Sequence, residues 1–305
     1  MKSACTTVSP SQPNEMRVAW GPVAMFCVLW SSSFAAAKIA LRDCPPLTLL
    51  TVRFCIAGVL MLAMAWMAGG MRRPGWRQLG LLAVLGVLNN ALYLGLSWAG
   101  MATVSSAFAA VITSTNPLLI GALAGPVLGE RVTWRAIAGL ILGLFGVAVV
   151  LRSRLTGMHE DLQGTLLVGA GLAALVAGTL LYKRRAPATN IWLATGAQSF
   201  AGAIAVLPFA VALEGEMPVH YTPSLFWSLA YMIVAVSIGA FGLWFTILER
   251  SSATAASALH FLMPPLGLLF GCAVLGEPVA VMDLAGIVPI ALGIWLVTRP
   301  AQPAR

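Results

Sequence analysis

The feature that most constrains the fold of this chain is an internal duplication. Residues 113–140, TSTNPLLIGALAGPVLGERVTWRAIAGL, return 147 positions later as residues 260–287, HFLMPPLGLLFGCAVLGEPVAVMDLAGI. The two copies align without a gap, with Pro117 on Pro264 and a Leu-Gly-Glu at the same place in each. Apolar sequences share Leu, Ala and Gly by chance, but a proline and a Leu-Gly-Glu at one spacing are a rarer coincidence. We therefore interpret the chain as two related halves.

Composition excludes a water-soluble fold. The chain is 59% hydrophobic and 9% charged, with a mean hydropathy of +0.90, whereas a soluble domain carries about 25% charged residues. The net charge of +8 lies in short segments between apolar runs, so we expect a lipid bilayer as the partner and no nucleic acid. The five cysteines show no metal-ligand spacing, and we expect neither a metal nor a cofactor.

Ten apolar stretches are long enough to cross a membrane, since a span needs about 20 residues. The connections between them are short, and backbone groups in lipid must bond internally, so we expect every span to be a helix. The predicted fold class is therefore an all-α integral membrane protein. Its predicted spans are residues 18–41, 47–67, 79–98, 105–128, 133–151, 164–182, 190–213, 224–248, 253–275 and 279–297.

The distribution of Lys and Arg orients these spans. With the N-terminus inside, thirteen of these residues fall on the cytoplasmic side and four on the other, which predicts that both termini are cytoplasmic. Residues 1–17 are polar and are predicted to form a disordered cytosolic tail. Each half, 18–152 and 164–299, holds five spans, and because five is odd the second half enters from the opposite side. We therefore expect two inverted five-helix repeats, an architecture typical of transporters whose site lies at the repeat interface.

Several motifs in this sequence resemble those of one transporter family. Each half closes on a proline-centred fourth helix, Leu-Gly-Glu and a glycine-rich fifth helix. The first span carries Trp-Ser-Ser-Ser-Phe at 30–34 followed by Lys38, and the second carries Arg53-Phe54. Together these features resemble the EamA family of the drug/metabolite transporter (DMT) superfamily and, within it, the YddG-type exporters of aromatic amino acids. The resemblance implies a multi-pass exporter of the bacterial inner membrane.

Pro117 and Pro264 are candidate hinge residues inside the fourth and ninth predicted spans. A proline within a helix removes the hydrogen bond to the carbonyl four residues earlier, which belongs to Thr113 and His260, respectively. Freed backbone groups inside a membrane need protein or a water-filled cavity to satisfy them. We interpret the prolines as hinges beside a transport cavity; the alternative is an ordinary kink that helps helix packing. Lys38, at the external end of the first span, is a candidate gating residue.

His260 is the one histidine within a predicted span, where ionisable groups are usually functional. It could hold a substrate carboxylate, relay a proton, or remain neutral and structural. Around it we expect a polar, uncharged cavity with aromatic walls, although each member could instead serve helix packing. The candidate substrate-binding residues are His260, Asn89, Asn90, Tyr93, Thr113, Asn116, Trp30, Ser33, Ser257, Trp244 and Tyr182.

The positions of the charged residues bear on mechanism. All ten acidic residues fall in tails, loops or span ends, which disfavours coupling through a buried acid and favours gradient-driven export. Glu130 and its counterpart Glu277 are expected to shape loops or gates by accepting backbone hydrogen bonds. Arg53 is expected near the external face, in a mainly structural role.

The sequence thus predicts an exporter of small amphiphilic metabolites, with aromatic or hydrophobic amino acids favoured, that works by alternating access. A multidrug or cationic-dye efflux transporter is the alternative, although an acid inside the membrane would suit it better. An intramembrane enzyme is disfavoured because one histidine without a carboxylate at mid-span makes no catalytic constellation. Whether the protein is a monomer or a homodimer stays open.

Overall fold

The computed structural model of this chain describes residues 20–68, 74–101, 103–104, 109, 112–155, 161–185, 189–276 and 285–298, with the backbone alone at 151–155 and 275. Every regular element among these residues is a helix. The α-helices are α1 (Trp20–Ala40), α2 (Pro46–Met67), α3 (Trp76–Gly86), α4 (Tyr93–Gly100), α5 (Asn116–Leu128), α6 (Trp134–Leu155), α7 (Leu162–Arg185), α8 (Ile191–Glu214), α9 (Pro223–Tyr231), α10 (Phe241–Arg250), α11 (Ala253–Ala258), α12 (Met263–Leu275) and α13 (Ile287–Thr298).

These helices have the length and composition of membrane spans. Seven helical stretches of the described residues are long and apolar enough to cross a bilayer. Three shorter apolar stretches, α5, Trp134–Val150 of α6 and α13, lie in the other three predicted spans. The all-helical, multi-pass fold is therefore confirmed. The count of ten spans and the cytoplasmic position of both termini stay predictions, and the predicted tail at 1–17 lies outside the described residues.

One of the contacts between the two halves is the crossing of α6 and α13. A Cβ atom built on Gly139 would stand 2.6 Å from the carbonyl oxygen of Gly293, and one built on Gly146 would stand 2.8 Å from that of Gly286. The 147-residue offset pairs Gly139 with Gly286 and Gly146 with Gly293, so a two-fold axis exchanges the two contacts. The two helices therefore run antiparallel, which is the relation that inverted repeats require.

The duplicated Leu-Gly-Glu has a conformational role. Gly129 follows α5 with a φ of 72°, and Gly276 follows α12 with a φ of 69°. Glycine enters this left-handed region without the steric cost that a Cβ atom imposes, so it ends a helix and turns the chain. The motif thus places Glu130 immediately beyond the end of α5.

The fourth and ninth predicted spans are interrupted within the described residues. Pro117 occupies the first turn of α5, and Pro264 occupies the first turn of α12. Between α11 and α12, Leu259–Leu262 form a 3-10 turn that carries His260. Proline is tolerated in a first helical turn, where its missing N–H removes no hydrogen bond. The expected kinks are therefore starts of new helical segments, at the same place in the two halves.

Two π-helical segments lie within the other long helices. The first, π1 (Val87–Leu92), joins α3 to α4, and the second, π2 (Met232–Ala240), joins α9 to α10. Adding 147 to 87–92 gives 234–239, which lies within π2, so the two segments are repeat counterparts. The first packs against α7 and α8, and the second against α1 and α2. Because π-helical turns are rare and occur frequently at functional sites, their polar residues are candidates for function.

Candidate functional site

Four aromatic side chains gather around His260 in the buried core. The rings of Trp244 and His260 meet edge to face with centroids 4.9 Å apart, and the Trp30 and Phe26 rings lie 6.4 and 6.5 Å from the imidazole. Phe241 completes the group, with its ring 5.0 Å from that of Trp30. Such pairs set positive ring edges against negative ring faces. We call these five residues the aromatic cluster.

Sequence reasoning found part of this cluster. Trp30, Trp244 and His260 are predicted site residues, and the structure brings the three together. Phe26 and Phe241 were not predicted. Phe26 precedes Trp30 by four positions and Phe241 precedes Trp244 by three, so each shares a helix face with a predicted tryptophan. That spacing was the signal that could have found them.

The His260 imidazole is held by the backbone. Its Nδ1 lies 3.0 Å from the Ser257 carbonyl oxygen, which accepts hydrogen bonds and cannot donate them. Nδ1 therefore carries the proton of the neutral ring, and Nε2 is its acceptor. The Ser257 hydroxyl is itself engaged, donating to the Thr254 carbonyl oxygen at 3.0 Å. Ser257 thus orients His260 through its carbonyl group.

Two fully buried polar side chains lie on helices next to the cluster. Ser31 and Asn116 are each 0% exposed. Among the described residues, neither the Ser31 hydroxyl nor either polar atom of the Asn116 amide has a hydrogen-bond partner. Ser31 follows Trp30 on α1, and α5, which begins at Asn116, packs against the turn that carries His260. Since buried polar groups are nearly always paired, these atoms are suited to a polar ligand. Asn116 is a predicted site residue, whereas Ser31 is not.

Asn89 and Asn90 contact other helices. The Asn89 amide packs against Gly178 of α7, and Asn90 packs against Gly202 of α8. The two residues are consecutive in π1, so their side chains point in different directions. The side-chain oxygens of both, and that of Gln198 on α8, have no hydrogen-bond partner within the described part of the chain. Gln198 was not predicted, and nothing in its local sequence distinguishes it.

The remaining predicted residues near α1 and α5 are bonded locally or lie at helix ends. The hydroxyls of Thr113 and Ser33 donate to backbone carbonyl groups one turn earlier in the chain, at 2.9 and 2.5 Å. Tyr93 is buried at the start of α4, and Lys38 is exposed in the last turn of α1.

No group of three or more His, Cys, Asp or Glu side chains among the described residues could hold a metal ion.

Glu130 joins the two halves at one end of the bundle. Its carboxylate accepts hydrogen bonds from the Ala253 N–H at 2.6 Å, the Thr254 N–H at 3.3 Å and the Thr254 hydroxyl at 3.0 Å. Both N–H groups belong to the first turn of α11, where unpaired donors and the helix dipole favour an anion. The expectation that Glu130 accepts backbone hydrogen bonds is confirmed, whereas Glu277 lies outside the described residues. We call this contact the Glu130 cap.

Side chains from the end of α7 reinforce the same end of the bundle. The Tyr182 hydroxyl donates to the Glu249 carboxylate at 2.8 Å. The Lys183 ammonium group donates to the Leu248 carbonyl oxygen at 2.6 Å and also to that of Ser251. Tyr182, a predicted substrate-binding residue, is therefore engaged with the end of α10.

A second carboxylate caps a helix at the opposite end of the bundle. Glu214 accepts hydrogen bonds from the N–H groups of Leu47 and Thr48, in the first turn of α2, at 2.9 and 2.7 Å. Asp43, in the loop that precedes α2, accepts a hydrogen bond from the Thr222 hydroxyl at 2.5 Å. That bond is the main cause that lowers the pKa of Asp43 below its ordinary value. Carboxylates thus link the two halves at both ends.

Comparison with known proteins adds an independent observation. The sequence pattern of the EamA-like transporter family matches residues 19–152 and 163–299, so it covers both halves. A probable amino-acid metabolite efflux pump of Salmonella typhimurium is 27% identical over 282 residues, covering 88% of this chain and 91% of the relative. A probable terminal-alkyne amino-acid exporter of Streptantibioticus cattleyicolor is 29% identical over 281 residues, covering 89% and 90%. A known crystal structure shares the fold, with a TM-score of 0.78 at 20% sequence identity. The matched region covers 91% of this chain and 95% of the other chain.

Proposed function

This chain belongs to the EamA-like transporter family of the drug/metabolite transporter superfamily, and on that premise we propose that it exports amphiphilic amino acids. It is a membrane transporter and not an enzyme. The proposed substrates are small amphiphilic metabolites, with aromatic and hydrophobic amino acids favoured, moved out across the bacterial inner membrane by alternating access. Two relatives named as exporters of amino acids or their metabolites support the substrate class.

The aromatic cluster is the observation that carries this proposal. Trp30, Phe241 and Trp244 offer ring faces and edges within the membrane-spanning core, where an aromatic or aliphatic side chain gains apolar contact. His260, with Nε2 as an acceptor, can receive a hydrogen bond from the substrate ammonium group. The unpartnered Asn116 amide adds a donor and an acceptor. A site with these groups suits a molecule that is polar at one end and apolar at the other.

Alternating access is supported by the interruptions of the helices. The first turns of α5 and α12, which hold Pro117 and Pro264, are positions where a segment can change direction without breaking helical hydrogen bonds. The Glu130 cap lies at the end predicted to be cytoplasmic, where it links the two halves. Opening that cap and closing the opposite end would expose the aromatic cluster to each side in turn.

Counterflow into proteoliposomes tests the function directly. Purified protein would be reconstituted, loaded in turn with each of the twenty amino acids, and assayed with and without a pH gradient. We expect exchange to be fastest for phenylalanine, tryptophan, tyrosine and leucine. A correctly inserted protein that exchanges none of the twenty would refute amino-acid export, and transport of cationic dyes alone would favour the drug-efflux alternative.

His260→Ala and Trp244→Ala are each expected to cut phenylalanine counterflow about tenfold. Loss of one aromatic or hydrogen-bonding contact with the substrate is worth about 1.4 kcal/mol, which corresponds to that factor. The matched control is Trp227→Ala, because Trp227 lies on the same predicted span as Trp244 but is 70% exposed on the outside of the bundle. Equal losses in all three variants would show that the effect comes from instability and not from the site.

Asn89→Ala and Asn90→Ala are expected to slow transport with membrane insertion intact. Both amides lie in π1, and their oxygens have no partner in the described part of the chain, so they are available to a substrate or to water on its path. Initial rates of counterflow at matched protein levels measure the effect. Normal rates in both variants would remove these residues from the transport pathway and leave them as packing groups.

A further inference from the structure

Arg53 is a charged side chain buried within a membrane span. It lies seven residues after the start of α2, about 10 Å along the helix axis, and only 4% of it is exposed. It therefore does not extend to the external surface. Its Nε donates to the Ser237 hydroxyl of π2 at 2.9 Å, and its guanidinium lies 5.4 Å from the Phe54 ring centroid. An arginine carries five N–H donors, and one hydrogen bond to a described residue leaves most of these donors for another partner.

Among the six described carboxylates, Glu216 is exposed beyond the end of α8, and the other five are engaged by hydrogen bonds away from Arg53. Each of them accepts from a helix N-terminus, a hydroxyl group or a backbone N–H elsewhere. They are Asp43 with Thr222, Glu130 with α11, Asp161 with the Gly164 N–H, Glu214 with α2, and Glu249 with Tyr182. A charge inside a membrane protein is costly unless it is paired. The guanidinium group thus lacks a counter-ion among the described residues, which makes an anionic ligand the natural partner.

The position of Ser237 connects Arg53 with the aromatic cluster. Ser237, Phe241 and Trp244 follow one another at spacings of four and three residues, and therefore share one face of their span. Phe241 contacts Trp30, and Trp244 contacts His260. Ser237, which bonds Arg53, is therefore about one helical turn, roughly 5 Å, from Phe241 along that face. An aromatic amino acid has its carboxylate and its ring at a comparable separation.

We infer that Arg53 binds the α-carboxylate of the transported amino acid, while the side chain of that amino acid lies among Trp30 and Phe241. The inference rests on the proposed function, because it assigns one end of the proposed substrate to this residue. The planar guanidinium fork matches two carboxylate oxygens, a geometry that the single ammonium group of a lysine cannot reproduce. Arg53 is then the residue that selects substrates with a carboxylate.

Ligand binding by the purified, full-length protein tests this assignment with three probes of one ring size. Phenylalanine and 3-phenylpropionate carry a carboxylate, and phenethylamine does not. Quenching of tryptophan fluorescence would give each dissociation constant for the unaltered protein, Arg53→Gln, Arg53→Lys and Ser237→Ala. In Arg53→Gln, we expect binding of the two carboxylates to weaken about 30-fold and binding of phenethylamine to change less than threefold, since charge-assisted hydrogen bonds are lost only for the former.

The other variants separate recognition from a structural role. Arg53→Lys keeps the charge and should recover part of the lost affinity for the carboxylates alone. Ser237→Ala removes the hydrogen bond between α2 and π2 but leaves the guanidinium, so it should bind all three probes nearly as the unaltered protein does. Equal weakening of all three probes in Arg53→Gln, or the same pattern in Ser237→Ala, would overturn the inference. Carboxylate-selective binding without counterflow would refute the proposed export and leave the Arg53 assignment intact.

Discussion

Replacing Gly139 by leucine is expected to abolish assembly of the bundle, and replacing it by alanine to destabilise it by about 3 kcal/mol. A Cβ atom at this position would stand 2.6 Å from the Gly293 carbonyl oxygen and 2.8 Å from the Leu296 Cβ. No side-chain rotation relieves a contact with backbone, so α6 and α13 would have to separate. In lipid, no hydrophobic force drives helices together, so their association depends on close packing.

Thermal unfolding in detergent, followed by size-exclusion chromatography, measures this effect. Gly286→Ala should behave like Gly139→Ala, because its Cβ atom would stand 2.5 Å from the Gly146 carbonyl oxygen at the two-fold-related contact. Gly80→Ala and Gly169→Ala are the matched controls, since both lie in helices with open space around the added carbon, and alanine there should be neutral or stabilising. Identical melting of Gly139→Ala and Gly80→Ala would contradict the close crossing.

Glu130→Ala is expected to shift the protein toward a conformation that is open at the end predicted to be cytoplasmic. The substitution removes three hydrogen bonds to a carboxylate from Ala253 and Thr254, and it leaves the N-terminus of α11 without its anion. Charge-assisted hydrogen bonds contribute about 1.5–3 kcal/mol each. A net loss of about 2.8 kcal/mol corresponds to a hundredfold change in the equilibrium between closed and open states. Glu130→Gln, which keeps a carbonyl acceptor, should give an intermediate shift.

Distances between spin labels would measure that shift. Labels at Arg131 and Arg250, both exposed and on the two sides of the cap, should show a longer distance in Glu130→Ala than in the unaltered protein. Glu216→Ala provides the control, because Glu216 is an exposed acid at the opposite end of the bundle. Unchanged distance distributions in Glu130→Ala, with normal folding, would show that the Glu130 cap is structural and not a gate.

Several features of the site were predictable because they depend on local chemistry. Proline has no N–H in any context, so Pro117 and Pro264 mark interruptions of their helices whatever surrounds them. Glycine before a glutamate at a helix end favours a left-handed turn, which placed Glu130 outside α5 as a backbone acceptor. His260 was predicted because an ionisable group within a span is usually functional, and Trp30 and Trp244 because large aromatic side chains can form the apolar wall of a cavity.

The roles of other residues depend on partners that are far away in the chain. The Tyr182 hydroxyl reaches Glu249, so the residue is occupied at the end of α7, although its sequence suits a cavity wall equally well. Arg53 was expected near the external face, and its buried bond to Ser237, 184 positions later, could not be read from either segment. Phe241 shares a helix face with Trp244, but its contact with Trp30 joins residues that are far apart in the chain.

The amino-acid sequence alone was enough to predict that this protein lies in a membrane, that it is helical and that it has two related halves. Its low charge requires a bilayer, backbone hydrogen bonding in lipid requires helices, and the duplication predicts two related halves that are inverted if each holds five spans. Only the tertiary structure decided which face of each helix is buried, and therefore that Trp30 meets His260 and that Arg53 meets Ser237. The physical reason is that lipid is as apolar as the protein core, so both faces of a span carry the same kind of residue and hydrophobic periodicity does not distinguish them.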